Sequence, residues 1–453
     1  MAINPTIFRA YDIRGHADRE LHSAAVDLLG RAIGTTALHA GQTTLVVGRD
    51  GRLSSPRIYQ QLIVALQASG CNVIAIDLVA TPMLYFATHH FATQAGVMVT
   101  GSHNPSDMNG LKVVLDGQAL SESSIQGLRR MIEQGQFNVG RGNVNSKDIS
   151  EDYIQAVRAS VPSLPSLKVV LDCCHGAAST IAPRLYRSMG CEVVALYDRV
   201  DGHFPAHSPD PFSPGSLDSL KQVVRQSDAD LGLAFDGDAD RLVAIDAQGR
   251  CLDPDQLMML FVQAVAEKHP DAAIVYDIKS SQRLVDWIIH CGARPVISKS
   301  GHSMIKHKMQ IEKAVLGGEF TGHYFFADSW FGFDDGLYAG LRLISMLDFQ
   351  CTLAQSQASL PSIGQTVERH IGVNDKEKFL IVDRFITDLT ASLLSTDQIL
   401  TVDGIRLSTP SGWGLLRASN TSAALNLRFE ADDQVALTKI EQRFMQILQA
   451  ILE

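Results

Sequence analysis

The feature that most constrains the fold is a unit that recurs three times. Thr44-Leu-Val-Val-Gly48 reads as a buried strand and runs into the polar turn Arg49-Asp-Gly-Arg52; a helical stretch and a second apolar run, 70–77, follow. Residues 167–171 lead in the same way into Asp172-Cys-Cys-His-Gly176, a helix and 190–196, and residues 273–276 into Asp277-Ile-Lys-Ser-Ser281, a helix and 292–297. Strand, polar loop, helix, glycine turn and strand make a crossover that sets two strands parallel. Three copies predict three related α/β domains, and 453 residues are too many for one core. The end of the chain breaks the pattern. Residues 424–430 alternate with Leu425, Leu427 and Phe429 on one face, which predicts a half-exposed strand. A terminal helix is expected to bury Val435, Ile440, Phe444, Ile447, Leu448 and Ile451, capped by Asp432 or Asp433. Linkers are expected at 135–145, near Gly249 and at 359–364.

Composition excludes several classes. A hydrophobic share of 45% with 19% charged residues is that of a soluble globular chain. A net charge of −10 argues against a nucleic-acid surface, so any anionic ligand must meet locally concentrated Arg and Lys. Seven cysteines without regular spacing give no disulfide framework, and a reducing cytoplasm is expected. Neither a secretory signal nor a membrane span is expected.

Four stretches carry chemistry. In Phe235-Asp-Gly-Asp-Ala-Asp-Arg241, Asp236, Asp238 and Asp240 follow the apolar run 231–235. Three converging carboxylates repel unless a cation lies between them, and oxygen ligands alone select a hard ion such as Mg2+. An EF-hand needs Gly at its sixth and Glu at its twelfth position, where this loop has Arg241 and Ala247. Thr100-Gly-Ser-His-Asn-Pro105 delivers Ser102 from a strand to a turn as a nucleophile would be delivered, without the Gly-x-Ser-x-Gly of a hydrolase elbow. Lys112, on the next strand, can reach back to that loop. Gly317-Gly-Glu-Phe-Thr-Gly-His323 offers Glu319, Thr321 and His323 to sugar hydroxyls. Arg417-Ala-Ser-Asn-Thr421 offers a planar guanidinium and, at Ser419, Asn420 and Thr421, donors for an anion nest. Each loop read singly is also ordinary turn chemistry. Arg9-Ala-Tyr-Asp-Ile-Arg14 and Gly301-His302-Ser303 are smaller concentrations of polar groups.

Together, in this order, the four loops resemble the signatures of the α-D-phosphohexomutase family, here its bacterial phosphomannomutase/phosphoglucomutase branch, from Tyr11 into the C-terminal domain. The resemblance implies four domains around a central cleft: three α/β domains with mixed sheets and a C-terminal α+β domain, with expected limits 1–148, 149–250, 251–363 and 364–453. It implies interconversion of hexose 1-phosphate and 6-phosphate, of mannose, glucose or both, through a phosphorylated Ser102 and a glucose or mannose 1,6-bisphosphate. It further implies Mg2+ on Ser102, Asp236, Asp238 and Asp240, with Arg14, His103, Lys112, Arg241 and His302 at the reaction centre. Tyr11, Lys279, Glu319, Thr321, His323, Arg417, Ser419, Asn420 and Thr421 are implied to bind the sugar phosphate. Partners are expected to be small sugar phosphates, with neither nucleic acid nor membrane, and the chain is expected to be a monomer.

Two departures stand out. The sugar loop has Phe320-Thr321 where relatives commonly carry Met-Ser, and the phosphate loop continues Ser422-Ala423 where relatives often have x-Pro. Phe320 rather than Gln favours plain hexose phosphates over glucosamine phosphates, with a phosphoglucosamine mutase as the first alternative. An aspartyl-nucleophile sugar phosphatase is an alternative on Asp236-x-Asp238 alone, and a non-catalytic sugar-phosphate sensor is another; both leave Ser102 unexplained.

Overall fold

The computed structural model describes residues 3–348, 351–419 and 422–453. Its sheets turn the sequence repeat into topology. In the first domain the strands lie in the spatial order Ile13–His16, Met108–Leu115, Gly96–Val99, Thr44–Arg49, Asn72–Leu78 and Val144–Ser146, with Gln118–Ala119 paired to Met108–Leu115. The second runs Leu242–Asp246, Leu231–Phe235, Lys168–Asp172, Glu192–Leu196, and the third Tyr324–Phe326, Leu316–Gly318, Ala273–Asp277, Arg294–Ser298. All three share one four-strand core. Three strands are parallel, and the outermost returns antiparallel to its neighbour. The strand that precedes this return delivers Ser102, Asp236 and Glu319 in the three domains respectively. Each residue therefore sits beyond the carboxyl end of a parallel strand, where open α/β sheets bind ligands.

Alternation along the first sheet separates two cores. Leu45, Val47, Val97, Val99 and Val113 face the helices Ser23–His39 and Ser55–Ser69. Val46, Met98 and Val114 face the other way, into an apolar cluster that continues through Leu171 and Phe235 to Leu257, Phe261 and Leu316. The first three domains thus share a continuous core, whereas the fourth has its own, around Phe385, Leu427, Phe429 and Phe444.

That fourth domain is an antiparallel sheet ordered Gln365–Gly372, Ala424–Ala431, Gly412–Ala418, Ile405–Thr409, Gln398–Leu400, with Lys378–Ala391 and Gln434–Leu452 packed on it. Three expectations need correction. Strand Ala424–Ala431 is not half-exposed: Arg428 and Glu430 are buried as well, because the third domain covers that face. Arg428 lies 3.4 Å over the Phe320 ring, and Ser281 donates to Glu430 over 2.7 Å. In the terminal helix Ala436 and Leu437, not Val435, continue the buried stripe; Val435 is 64% exposed because Asp433 caps the helix at its first turn and turns Val435 outward. Within the expected linker 135–145, Val144 and Asn145 pair with Val73 and Ile74 at the edge of the first sheet. Among the described residues, no helix is long and apolar enough to cross a membrane.

Candidate active site

Ser102 is held in a left-handed backbone conformation, φ 50°, that a serine rarely adopts, so its surroundings must impose it. Arg52 does much of this. Its side chain is fully buried against Asp50, and its Nη2 donates to the carbonyls of Ser102 and Asn104, each over 2.6 Å. The Ser102 amide donates to Thr100 Oγ1 over 2.8 Å. The Ser102 hydroxyl then stands 3.0 Å from Asp236 Oδ2 and 3.2 Å from His103 Nδ1.

The aspartate loop arrives from the second domain. Asp236, Asp238 and Asp240 have no exposed surface, and an oxygen of each lies within 4.8 Å of those of the other two. Ala239 turns the loop with φ 64°, and a side chain at Gly237 would strike the Ser102 carbonyl, so only glycine lets the two loops approach. The counter-charge of Asp238 and Asp240 is Lys112, which donates to Asp238 Oδ2 over 2.8 Å and also to Asp240 Oδ2, while Arg241 Nε lies 3.9 Å from Asp236 Oδ2. Burial opposes ionisation of Asp238, but the Lys112 ammonium and donors from Lys112, Thr81 and Thr100 outweigh it and hold the carboxyl below its usual range. Burial, then Asp240 and Asp238, push Asp236 well above that range. Burial and Asp238 also raise Asp240. Asp238 Oδ1 and Asp240 Oδ1 are buried without a hydrogen-bond partner among the described residues. Three buried carboxylates with two unpaired oxygens fit a hard divalent cation.

The third domain closes the pocket. Arg241 Nε donates to His323 Nε2 over 3.1 Å, so the proton of a neutral His323 is on Nδ1, which faces Asp334 at 3.3 Å and Asp240 at 3.6 Å. His302 is 4% exposed, and its Nδ1 lies 3.6 Å from the same Asp334 oxygen. Burial and Lys306 hold His302 well below its ordinary pKa, which leaves a neutral imidazole with no hydrogen bond on either nitrogen among the described residues. Burial and Arg241 do the same to His103. Arg14 is anchored by Asp12 and donates to Asn104 over 3.0 Å. Among the described residues Glu319 Oε2 and Thr321 Oγ1 have no hydrogen-bond partner, and Tyr11 and His302 meet edge to face with centroids 5.2 Å apart. Burial and Asp12 raise the Tyr11 phenol to about 12.

One small pocket is lined by Tyr11, Arg14, Ser102, His103, Lys112, Arg241, His302, Glu319 and His323, which come from three domains. Four of these also line a cleft of about 810 Å3 that reaches Lys279, Thr321, Arg417 and Ser419. Lys279 lies 3.8 Å from Asp277. Arg417 is anchored to Asp403 at 2.9 Å through both Nε and Nη2. Asn420 and Thr421 lie outside the described residues. Lys378 pins the loop's two sides by donating to the carbonyls of Ser419, over 2.7 Å, and Ser422, over 3.1 Å.

Sequence reasoning missed Arg52, Asp334, Lys306 and Lys378. Arg52 lies in the polar turn of the first repeat, where position relative to the strand was an available signal. Asp334 follows an aromatic stretch and gave none.

Comparison with known proteins accords with this arrangement. Four family models match in order: the phosphoglucomutase/phosphomannomutase alpha/beta/alpha domains I, II and III over residues 5–139, 151–249 and 253–365, and the C-terminal domain over 367–447. A phosphomannomutase/phosphoglucomutase of Pseudomonas aeruginosa is 43% identical over 98% of this chain and 96% of its own length. A phosphoglucomutase of Neisseria meningitidis is 40% identical over 98% and 97%. The crystal structure of a phosphoglucomutase/phosphomannomutase family protein from Burkholderia thailandensis superposes with a TM-score of 0.92 at 36% identity, covering 99% of this chain and 98% of that one. With its four domains matched in sequence and its fold matched over nearly the whole length, the chain belongs to the phosphoglucomutase/phosphomannomutase family.

Proposed function

We propose that the protein is a hexose-phosphate mutase that moves a phosphoryl group between O1 and O6 of mannose or glucose phosphates by way of phosphorylated Ser102. The observation that carries the reading is a pocket where Ser102 meets a ring of cationic and imidazole groups, with three buried aspartates behind it that touch Ser102 through Asp236 and Lys112 through Asp238. Phosphoryl transfer needs little covalent help from a protein; positioning and charge compensation supply most of the rate. Asp236, Asp238 and Asp240 are the residues that would hold Mg2+. When bound, the metal supplies charge withdrawal from the phosphoryl oxygens.

The remaining work belongs to the chain's own groups. Arg14, Lys112 and Arg241 provide positive charge around Ser102, where the phosphoryl group would reside. When Ser102 accepts that group its hydroxyl proton must leave, and His103 Nδ1, 3.2 Å away and neutral, is placed to take it. The attacking sugar hydroxyl must also lose a proton, and His302 presents an unpaired neutral nitrogen for it. Glu319, Thr321 and His323 would read sugar hydroxyls, while Tyr11, Lys279, Arg417, Ser419, Asn420 and Thr421 would hold the distal phosphate. A site that reads hydroxyls equivalent in both orientations lets a 1,6-bisphosphate, of glucose or mannose, reverse and return its other phosphate to Ser102. Domain limits of 1–148, 149–250, 251–363 and 364–453, a monomeric state and a cytoplasmic setting complete the proposal.

A coupled assay with mannose 1-phosphate and glucose 1-phosphate, with and without glucose 1,6-bisphosphate, tests the activity. Intact-mass measurement tests the phosphoserine. Ser102→Ala should retain the fold, lose the added phosphate and lose turnover; wild-type turnover in that variant would sink the mechanism.

A further inference from the structure

A second cavity, of about 580 Å3, lies behind the reaction centre, between the first and third domains. Helix Thr81–His90 and strand Met108–Leu115 form one side and helix His302–Glu312 the other. Its volume is that of a small-molecule site. Two features of its lining point to a ligand. Near the floor, Tyr85 and Ser303 are each 3% exposed, and their hydroxyls have no hydrogen-bond partner among the described residues. Buried hydroxyls without partners are costly and rare. At the rim, Phe331 is 47% exposed, its ring stacked on His89 with centroids 4.8 Å apart and planes 25° from parallel. An aromatic plate left open to solvent beside a cavity is a place for a second planar ring.

Charge decides the other end of the ligand. Lys306 and Lys313 line the cavity, and no carboxylate does among the described residues. Lys306 lies 4.1 Å over the Tyr85 ring, and its Nζ bonds Asp334 over 2.7 Å. Planar ring at the rim, unpaired hydroxyls and ammonium groups within: we propose that this cavity binds a nucleoside phosphate, with the base on Phe331 and His89 and the phosphate toward Lys306, Ser303 and Tyr85.

Such a ligand acts on turnover without entering the cleft. Its phosphate competes with Asp334 for Lys306, and Asp334 is the carboxylate that faces His302 at 3.6 Å and His323 at 3.3 Å. Loosening that carboxylate disorders both imidazoles, so the ligand lowers kcat at saturating substrate through His302 and raises KM through His323, which reads the sugar.

The test is calorimetric titration of ADP into the full-length protein with Mg2+ in excess and the cleft saturated with glucose 1,6-bisphosphate. Binding is expected under those conditions and is expected to weaken about tenfold in Phe331→Ala and in Lys313→Glu. Both rim variants should keep wild-type basal turnover, and Phe331→Ala should melt lower than Lys313→Glu because its ring also meets Phe86, Trp330 and Phe333. Displacement of ADP by the sugar bisphosphate overturns the proposal, because it puts ADP in the cleft. So does absence of binding at millimolar ADP, unchanged affinity in both variants, or inorganic phosphate binding as tightly as ADP. The calorimetric arm reads binding, not mutase activity, so its outcome is separable from the reading of the catalytic site.

Discussion

Replacing Lys112 by Met tests whether the aspartate loop depends on a cation for stability as well as for chemistry. Methionine keeps most of the length of the side chain and removes its charge. Asp238 and Asp240, both fully buried, would lose their ammonium partner. Asp238 would retain the hydroxyls of Thr81 at 2.6 Å and Thr100 at 3.1 Å, and Asp240, among the described residues, would retain His323 at 3.6 Å. Stranding one side of a buried ion pair costs about 3–5 kcal/mol. In EDTA the variant should therefore unfold that much more easily, and more so toward alkaline pH, where protonation no longer relieves the carboxylates. An ion that binds only the folded state returns RT ln(1 + [L]/Kd), about 2.7 kcal/mol at a hundredfold excess over Kd. Saturating Mg2+ should thus recover about half or more of the loss in the variant. Wild type should gain less, because Lys112 already compensates the same carboxylates through their other oxygens. Urea unfolding with and without Mg2+, read at the transition that contains the first three domains, measures both terms. If Lys112→Met in EDTA stays within about 1 kcal/mol of wild type, or Mg2+ shifts the two proteins equally, Lys112 is not the counter-charge and the reasoning fails.

Asp334→Asn removes the charge that faces His302 and His323 and should lower kcat by about ten- to a hundredfold, with a smaller rise in KM through His323; a KM effect with unchanged kcat would mean that Asp334 acts on binding alone. Phe320→Ala removes the ring stacked 3.4 Å under Arg428 and so loosens the fourth domain on the sugar loop. KM for hexose phosphates should rise by up to roughly thirtyfold with kcat less affected, and unchanged KM would refute the coupling. Burial raises Asp335 from 3.8 to about 7 despite hydrogen bonds from Tyr338, Tyr153 and Trp330. The folded chain then holds this proton after the unfolded chain has lost it, so stability falls as pH rises from about 4 to about 7 and levels off above. Asp335→Asn should gain on wild type across that window in pH-dependent unfolding; parallel profiles would show that Asp335 is not the titrating group.

Much of the fold was legible because strand burial and loop chemistry are written locally. The runs 231–235 and 273–276 are strands because every position is apolar, and both sides of each are indeed buried. Strand Ala424–Ala431 was misjudged for the opposite reason. Its outward Arg428 and Glu430 look solvated in sequence, yet Phe320 and Ser281, more than a hundred positions away, cover them. Asp334 shows the same limit within the site. Nothing near it in sequence marks it, because its partners Lys306, His302 and His323 come from a neighbouring helix and a loop.

What the sequence by itself determined is the inventory: three repeated α/β units, a different fourth domain, and four loops with the donors and carboxylates that phosphoryl transfer requires. These follow from residue type and short-range spacing. What only the tertiary structure decided is how the inventory is wired. Lys112 pairs with Asp238 and Asp240 across a domain boundary, and Arg52 clamps the strained Ser102 loop from the turn after the neighbouring strand Thr44–Arg49. One carboxylate, Asp334, faces two imidazoles. Aspartates that read as repelling one another until a metal arrives already have an ammonium among them, contributed by the domain that carries the serine. Coulomb attraction and desolvation act on distance in space, and that distance is set by how the first three domains pack around a common core.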